Sequence, residues 1–391
     1  MYPLGIIVLM IQLILMYVFG CGMVIKMRQP YLRRGYALPR AGTLPIPIEI
    51  EDPIVDFYID MYATNNAHYN CRSPIKYVLN SVQIVDGSDV LFALDAEEIL
   101  ALDFYHYKES LHMGIDERAD QVQHCDFDIP LGLGRVDPVV AFDPTRFSNP
   151  MLILDWDLDN VTPFSFGGWA DPQDLAVTIM ADVIDEAPAR PEGYLMTKQV
   201  VEYSTGVAGG NEYISLPTDY PYRTMFLRAN AHCSLPEAII TKARHDCDEQ
   251  KYQPFEIYTD DWAKWDKKWY GFWHQGYWFT LSGGSTTTRD LNLRGNLAVA
   301  GGADASHTDT SVYKPSTCME LDIISPAGAE ANHHVKADGT LPMGTFAWPY
   351  GDPDQPEEWL DITTHRKSRL TLESGVADTL VQVFLTQYRK Y

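Results

Sequence analysis

The sequence predicts an all-β protein of two β-sandwiches in tandem, and three observations carry that prediction. Tyrosine outnumbers phenylalanine, 23 to 15, beside 27 Gly and 25 Pro, a mixture that suits strands and tight turns better than a helical bundle. Apolar residues recur at period two in short runs, not at 3.6. The same order of elements occurs twice within 391 residues, a length that accommodates two domains of about 170 residues each.

The elements of the first half follow in order. In "TLPIPIEIEDPIVDFYIDMYAT", Ile46, Ile48 and Ile50 fall on one face and Pro45, Pro47 and Glu49 on the other, the pattern of a strand with one buried side. Ile75–Val85 and Val90–Leu94 read as strands on either side of a turn at Asp86-Gly87. Asp95 stands where it can cap a helix starting near Ala96, with Glu97 and Glu98 in the first turn, where the helix dipole favours them. Ile99, Leu102 and Tyr105 share one face of that helix. Residues 106–148 read as a long irregular insertion. Strands resume in "RFSNPMLILDWDLDN" and in "LAVTIMADVID", where Val177, Ile179, Ala181 and Val183 alternate with Ala176, Thr178, Met180 and Asp182. "APARPEGYL" reads as an exposed link.

The second half repeats the pattern. Phe92-Ala-Leu-Asp-Ala-Glu-Glu-Ile aligns with Phe255-Glu-Ile-Tyr-Thr-Asp-Asp-Trp, so Thr259 is expected to cap the second helix as Asp95 caps the first. "SLPTDYPYRTMFLRANA" aligns with "CRSPIKYVLNSVQIV", and "SRLTLESG…TLVQVFLTQYR" with "PMLILDWD…DLAVTIMADVI". A second irregular insertion is expected at roughly 271–348. The resulting division is an N-terminal hydrophobic and basic segment (1–41), a first sandwich (42–205) and a second (206–391).

Charge is unevenly placed. The net charge is −23, yet residues 1–40 carry Lys26, Arg28, Arg33, Arg34 and Arg40 and no acid, so the remainder sums to −28. Sequence-specific nucleic-acid binding by the body is disfavoured, because phosphate contacts need a basic surface. Leu4–Ile25 is apolar with Gln12 its one strongly polar side chain, and as a helix it would reach about 33 Å, enough to cross a bilayer. Three readings stay open for this stretch: a membrane anchor, a secretory signal, or upstream codons ahead of a true start at Met10, Met16, Met23 or Met27. Under the anchor reading, Lys26, Arg28, Arg33 and Arg34 are the membrane-contacting cations.

No motif demands a catalytic site, cofactor or metal. The six cysteines form no C-x-x-C pair and read as free thiols. Asp155, Asp157 and Asp159 lack the Gly and Glu of a calcium loop, with Asn160 and Phe166 in those places. Neither a phosphate loop nor a nucleophile elbow occurs. Five tryptophans crowd residues 262–278. Trp262, Trp265 and Trp269 fall on one helical face and are expected to pack a core, while Trp273 and Trp278 are expected to meet a neighbouring subunit.

"GSDVLFALDAEEILALDFY", "FDPTRFSNPMLILDWDLD", "LPTDYPYRTMFLRA" and "PYGDPDQPEEWLDITTHRKSRLTLESG…VQVFLTQYRKY" resemble double jelly-roll major capsid proteins of tailless icosahedral viruses, the tectivirus and adenovirus lineage in the wide sense. The resemblance spans about residues 45–391. It implies two tandem jelly-roll β-sandwiches with short helices and long inserted loops, preceded here by an N-terminal hydrophobic helix that departs from the family pattern. It further implies a non-enzymatic shell subunit of the virion, assembled in the host cytoplasm. Its expected partners are its own copies in a pseudo-hexagonal homotrimer, penton and minor capsid proteins, and an internal lipid membrane. A membrane-anchored carbohydrate-binding or glycan-cleaving β-sandwich is the competing class.

Overall fold

A computed structural model describes residues 26–66, 75–108, 113–159, 169, 174–185, 187, 189–231, 234–281, 286–290, 296–302, 320–324 and 331–391. The apolar stretch before Lys26 lies outside the described residues. Among the described residues no helix is long and apolar enough to cross a membrane.

The first half supplies β1 (Lys26–Arg28), β2 (Tyr31–Ala37), β3 (Ala41–Pro47), β4 (Ile54–Thr64), β5 (Leu79–Asp86), β6 (Asp89–Leu94), helix α1 (Ala96–Tyr107), β7 (Met113–Asp116), β8 (Val122–Pro130), β9 (Pro150–Asp157) and β10 (Ala176–Asp185). The second half supplies β11 (Gly193–Ser204), β12 (Asn211–Leu216), β13 (Tyr222–Asn230), the single turn α2 (Pro236–Ile239), β14 (Ile240–Cys247), β15 (Tyr252–Tyr258) and helix α3 (Thr259–Tyr270). It continues with β16 (Trp273–Leu281), β17 (Thr286–Asp290), β18 (Asn296–Gly302), β19 (Glu320–Ile324), β20 (Ala331–Thr340), β21 (Thr345–Pro349), β22 (Ser368–Ser374) and β23 (Leu380–Lys390).

Strand pairing shows the duplication. In the first half, β1 and β2 together fill one edge beside β10, followed by β4 and β8; facing them run β3-β9-β5-β6. In the second half, β11-β23-β13-β21 face β12-β22-β14-β15. With eight strand positions counted along each half, both sandwiches have the order 1-8-3-6 against 2-7-4-5. Each half carries its helix between positions five and six.

This pairing corrects several sequence expectations. β1 and β2 are a sandwich strand, although they lie inside the segment set apart as residues 1–41. β11, which a boundary at 205/206 assigns to the first sandwich, pairs with β23 along its whole length, from Gly193↔Lys390 to Ser204↔Leu380. β13 holds position three and is the counterpart of β4; the sequence alignment matched it with β5, because a proline followed by period-two alternation looks alike in neighbouring strands. Residues 106–148 are not an irregular loop, since they contain β7 and the position-six strand β8. The region 271–348 likewise builds a β-ribbon, β16-β20-β18, whose β16 runs parallel to β7 at Tyr277↔Ile115.

The first core lies between the two sheets. Phe57, Ile59, Phe127, Ile129, Ile179 and Val183 face Val82, Ile84, Phe92, Leu152 and Leu154, all buried. The second is separate, with Met225, Leu227, Val381 and Val383 against Ile240, Ala243, Leu370 and Leu372. Each large apolar side chain so buried contributes roughly 1.5–3 kcal/mol.

Helix α1 joins the halves. Asp95 caps it as expected: its carboxylate accepts from Glu98 N at 2.7 Å, and the Glu98 side chain accepts from Asp95 N at 3.0 Å. Every residue from Ala96 to Tyr105 is buried, so no face of the helix is solvated. Thr259 departs from the expected parallel. It is the first helical residue of α3, and its hydroxyl donates to the carbonyls of Ile240 and Glu237. The helices meet where Tyr105 Oη donates to the Asp266 carboxylate at 3.1 Å.

A buried charge network closes the joint. Glu97 accepts from Lys76 Nζ at 2.9 Å and pairs with Arg228 of the second half. Arg228 also reaches Asp95 at 3.2 Å, the Met343 carbonyl at 3.2 Å, and Gln382. Side chains of Lys76, Glu97 and Arg228 retain 1%, 9% and 3% exposure. Removing one member of such a network leaves a buried charge uncompensated, at a cost of about 3–5 kcal/mol. Arg228→Ala is therefore expected to lower unfolding free energy by about that amount in urea titration, whereas Arg40→Ala, whose partner Asp159 is exposed, costs under about 1 kcal/mol.

Candidate assembly surfaces

At one end of the first sandwich, β1 pairs with β10 from Lys26↔Asp185 to Arg28↔Val183. Arg28 lies 2.6 Å from Asp52 and 3.6 Å from Asp185, so part of its charge is met within the chain. Arg33 and Arg34 lie in β2, an exposed edge strand, with their guanidinium groups over the Tyr36 and Tyr31 rings at 5.7 and 5.4 Å. Tyr31 and Tyr36 are themselves largely exposed. Such a cationic, aromatic edge disfavours indiscriminate strand addition.

Beside β1 the outer face of the same sheet gathers carboxylates. Asp56 of β4, Asp128 of β8 and Asp182 of β10 converge with Asp103 of α1. Arg135 stands 3.7 Å from Asp182 and 3.8 Å from Asp128, and Gln29 donates to Asp182 at 2.6 Å. Burial, then Asp128 and Asp182, push the Asp56 carboxyl up to about 8, against a hydrogen bond from Tyr107 at 2.7 Å. Burial likewise raises Asp103 well above the carboxylate range. Sequence reading missed this group, because its members are scattered from Asp56 to Asp182 and only the tertiary fold brings them together. In "DWDLD" the strand runs to Asp157; Asp155 accepts from Thr43 and Asn80, and both Asp159 carboxylate oxygens accept from Arg40 Nε. Cys125 and Cys247 are free and buried; the other four cysteines lie outside the described residues.

The tryptophans divide between core and surface. Trp262 is fully buried, with its indole N–H bonded to the Ala347 carbonyl at 3.0 Å. Trp265 is half-buried and Trp269, expected in the core, is 49% exposed. They stack with Trp348 into a ladder, Trp348–Trp265 at 5.5 Å and Trp265–Trp269 at 5.6 Å. Phe272 continues the exposed face. Trp273 is fully buried within its own chain, leaving no surface for a neighbour, whereas Trp278 is 42% exposed with Arg118 over its ring at 5.1 Å. Strand alternation explains the split: Trp273, Gln275 and Tyr277 face inward in β16, so Trp278 faces outward.

No family model matches the sequence, and no curated protein matches it. Solved structures do. The atomic structure of Sulfolobus turreted icosahedral virus aligns over 93% of this chain and 90% of the other, with a TM-score of 0.56 at 10% identity. The crystal structure of the STIV MCP gives 0.54 at 10% identity, over 93% and 96% of the two chains. The PBCV-1 virus capsid gives 0.52 at 9% identity, over 93% of each. The chain has the double jelly-roll fold. Each roll contributes eight strand positions, and the competing expectation of a membrane-anchored carbohydrate-binding or glycan-cleaving β-sandwich finds no support in these matches.

The Asp56 geometry makes a pH prediction. A carboxyl whose folded value is raised must take up a proton on folding, so its penalty is absent below about pH 4 and grows until the folded value is passed. Asp56→Asn keeps an acceptor for Tyr107 and removes that penalty. The variant is expected to gain stability over the native chain as pH rises from 5 to 8, by at least about 1.4 kcal/mol, a tenfold change in the unfolding constant. Urea titrations at the two pH values measure it; a constant difference contradicts the assignment.

Proposed function

We propose that this chain is a major capsid protein, a structural subunit of a tailless icosahedral virion. The observations that carry the reading are the repeated 1-8-3-6/2-7-4-5 order within one chain, joined through a buried helix, and the likeness of the whole fold to the capsid structures named above. Two unlike rolls per chain give a six-cornered outline when three copies close around an axis, and closed cyclic symmetry is the usual outcome for homo-oligomers. The trimer and its neighbouring capsomers form the shell, with penton and minor capsid proteins as further partners. The role is read as non-enzymatic, with the buried charge joint serving as structure: its cations Lys76 and Arg228 both meet Glu97.

The exposed Trp269 ladder and Trp278 supply the anchors such contacts use, since aromatic side chains dominate interface energetics. Trp273, enclosed in its own core, acts only by fixing β16. Sedimentation of the purified chain should give a species of three chain masses. Trp269→Ala and Trp278→Ala together should weaken the trimer at least tenfold while leaving the far-ultraviolet circular dichroism unchanged, both side chains being exposed. A monomer at every concentration and salt refutes the trimer.

The N-terminal segment fits an internal membrane. It enters the fold at Lys26, and Arg33 and Arg34 are the cations best placed to add about 1 kcal/mol each beside an anionic leaflet; Arg28, already paired, adds less. The acidic body is repelled from the same leaflet. The full chain should float with anionic vesicles, and a chain beginning at Lys26 should remain at the bottom of the gradient. Equal behaviour of the two rejects the membrane role and leaves the capsid reading standing.

A further inference from the structure

The two rolls leave a cleft of about 620 Å³ at their seam, beside the end where the chain terminates. That volume lies within the range of ligand pockets, about 300–1,000 Å³. One wall comes from the 133–140 turn of the first roll, the other from the 354–361 turn of the second, with Glu192 of the link and the end of β23 between them. The walls are fixed. Glu192 N donates to the Val139 carbonyl at 2.9 Å, Val140 bridges Gly193, and Tyr391 N donates to the Glu192 carbonyl at 3.2 Å.

The lining has two parts. Asp137, Glu192, Asp354, Glu357 and Asp361 ring the cleft, against Lys390 as the one lining cation. Neither Glu192 nor Glu357 forms an ion pair among the described residues. Beneath them the floor is apolar. Trp359 and Tyr388 pack edge to face at 5.6 Å over Val140 and Leu195. The Trp359 indole N–H is already bonded to the Asp352 carbonyl at 3.0 Å, so the ring offers the cleft no donor. Val139 stands 47% exposed at the edge, with Pro356 and Pro221 beside it. The negative field is felt locally: after burial, Glu192 and Asp137 hold the Tyr388 hydroxyl above its ordinary value.

The geometry points to this seam cleft as the docking site for a cationic segment of another protein, whose Lys or Arg side chains meet the acidic ring while interleaved apolar side chains cover the Val139 and Pro356 floor. Charge complementarity selects the partner class. Nucleic acid and anionic lipid are repelled by the ring, and a bare cation would leave the apolar floor uncovered. Because the ring draws on both rolls and the link, the occupant would also bridge the two halves. The proposal does not depend on the capsid assignment, since it rests on the cleft alone.

The test uses the full chain and a fluorescein-labelled peptide of alternating lysine and valine, titrated by anisotropy. Glu192→Gln with Glu357→Gln should raise Kd at least tenfold, and Val139→Ser should raise it about threefold. Glu249→Gln with Asp378→Asn, an equal loss of exposed charge away from the cleft, should change it less than twofold. If both double variants weaken binding equally, the peptide answers only to net charge and the site is rejected. Binding by the native chain weaker than millimolar, or unchanged by Glu192→Gln with Glu357→Gln, rejects it as well.

Discussion

The architecture depends on one buried guanidinium. Arg228, from the third strand position of the second roll, holds Glu97 and Asp95 at the N-terminal end of α1 in the first roll. Lys76 completes the charge balance on the far side of Glu97. A helix N-terminus is a favourable place for carboxylates, so Asp95 and Glu97 are stabilised twice, by the helix and by cations brought from elsewhere. The pairing is directional: a guanidinium in that position satisfies Asp95, Gln382 and the Met343 carbonyl together. Apolar packing alone would hold the rolls together but would not fix their rotation so narrowly.

That fixed rotation explains where surfaces arise. Sheets that would end in open edges are continued across the joint, β6 beside β11 and β7 beside β16. The parallel contact of β7 with β16 is short, yet it links the two insertions into one ribbon. The edges left over are short, charged or aromatic, as β2 and β15 are, which is how soluble sheets limit uncontrolled pairing.

Electrostatics within the first roll works against its own compactness. Asp56, Asp128 and Asp182 are drawn together by strand register and joined by Asp103 of α1, and Arg135 offsets only part of their repulsion. The chain accepts protonated carboxyls as the alternative. By contrast, the acids of the seam cleft are mostly exposed, where a partner can reach them. Burial, more than the number of acids, separates these two groups.

Much of the strand content was legible in the sequence. Period-two alternation located β3 and β10, the Asp95 capping pattern located the start of α1, and the matched Phe92 and Phe255 segments revealed the duplication. These signals are local, set by backbone geometry within a few residues. The assignment of strand positions was not legible, because alternation is the same for every strand: β13 was matched to β5, and β8 was hidden in an apparent loop. The fate of each tryptophan also needed the tertiary structure. Spacing put Trp269 on the same face as Trp262, but only the position of Trp348 and the limit of the core decided that one is buried and the other exposed. The sequence by itself determined many of the strands, the cap of the first helix and the duplication. The tertiary structure decided which charges meet, since Arg228 and Glu97 are 131 residues apart and no local rule relates them.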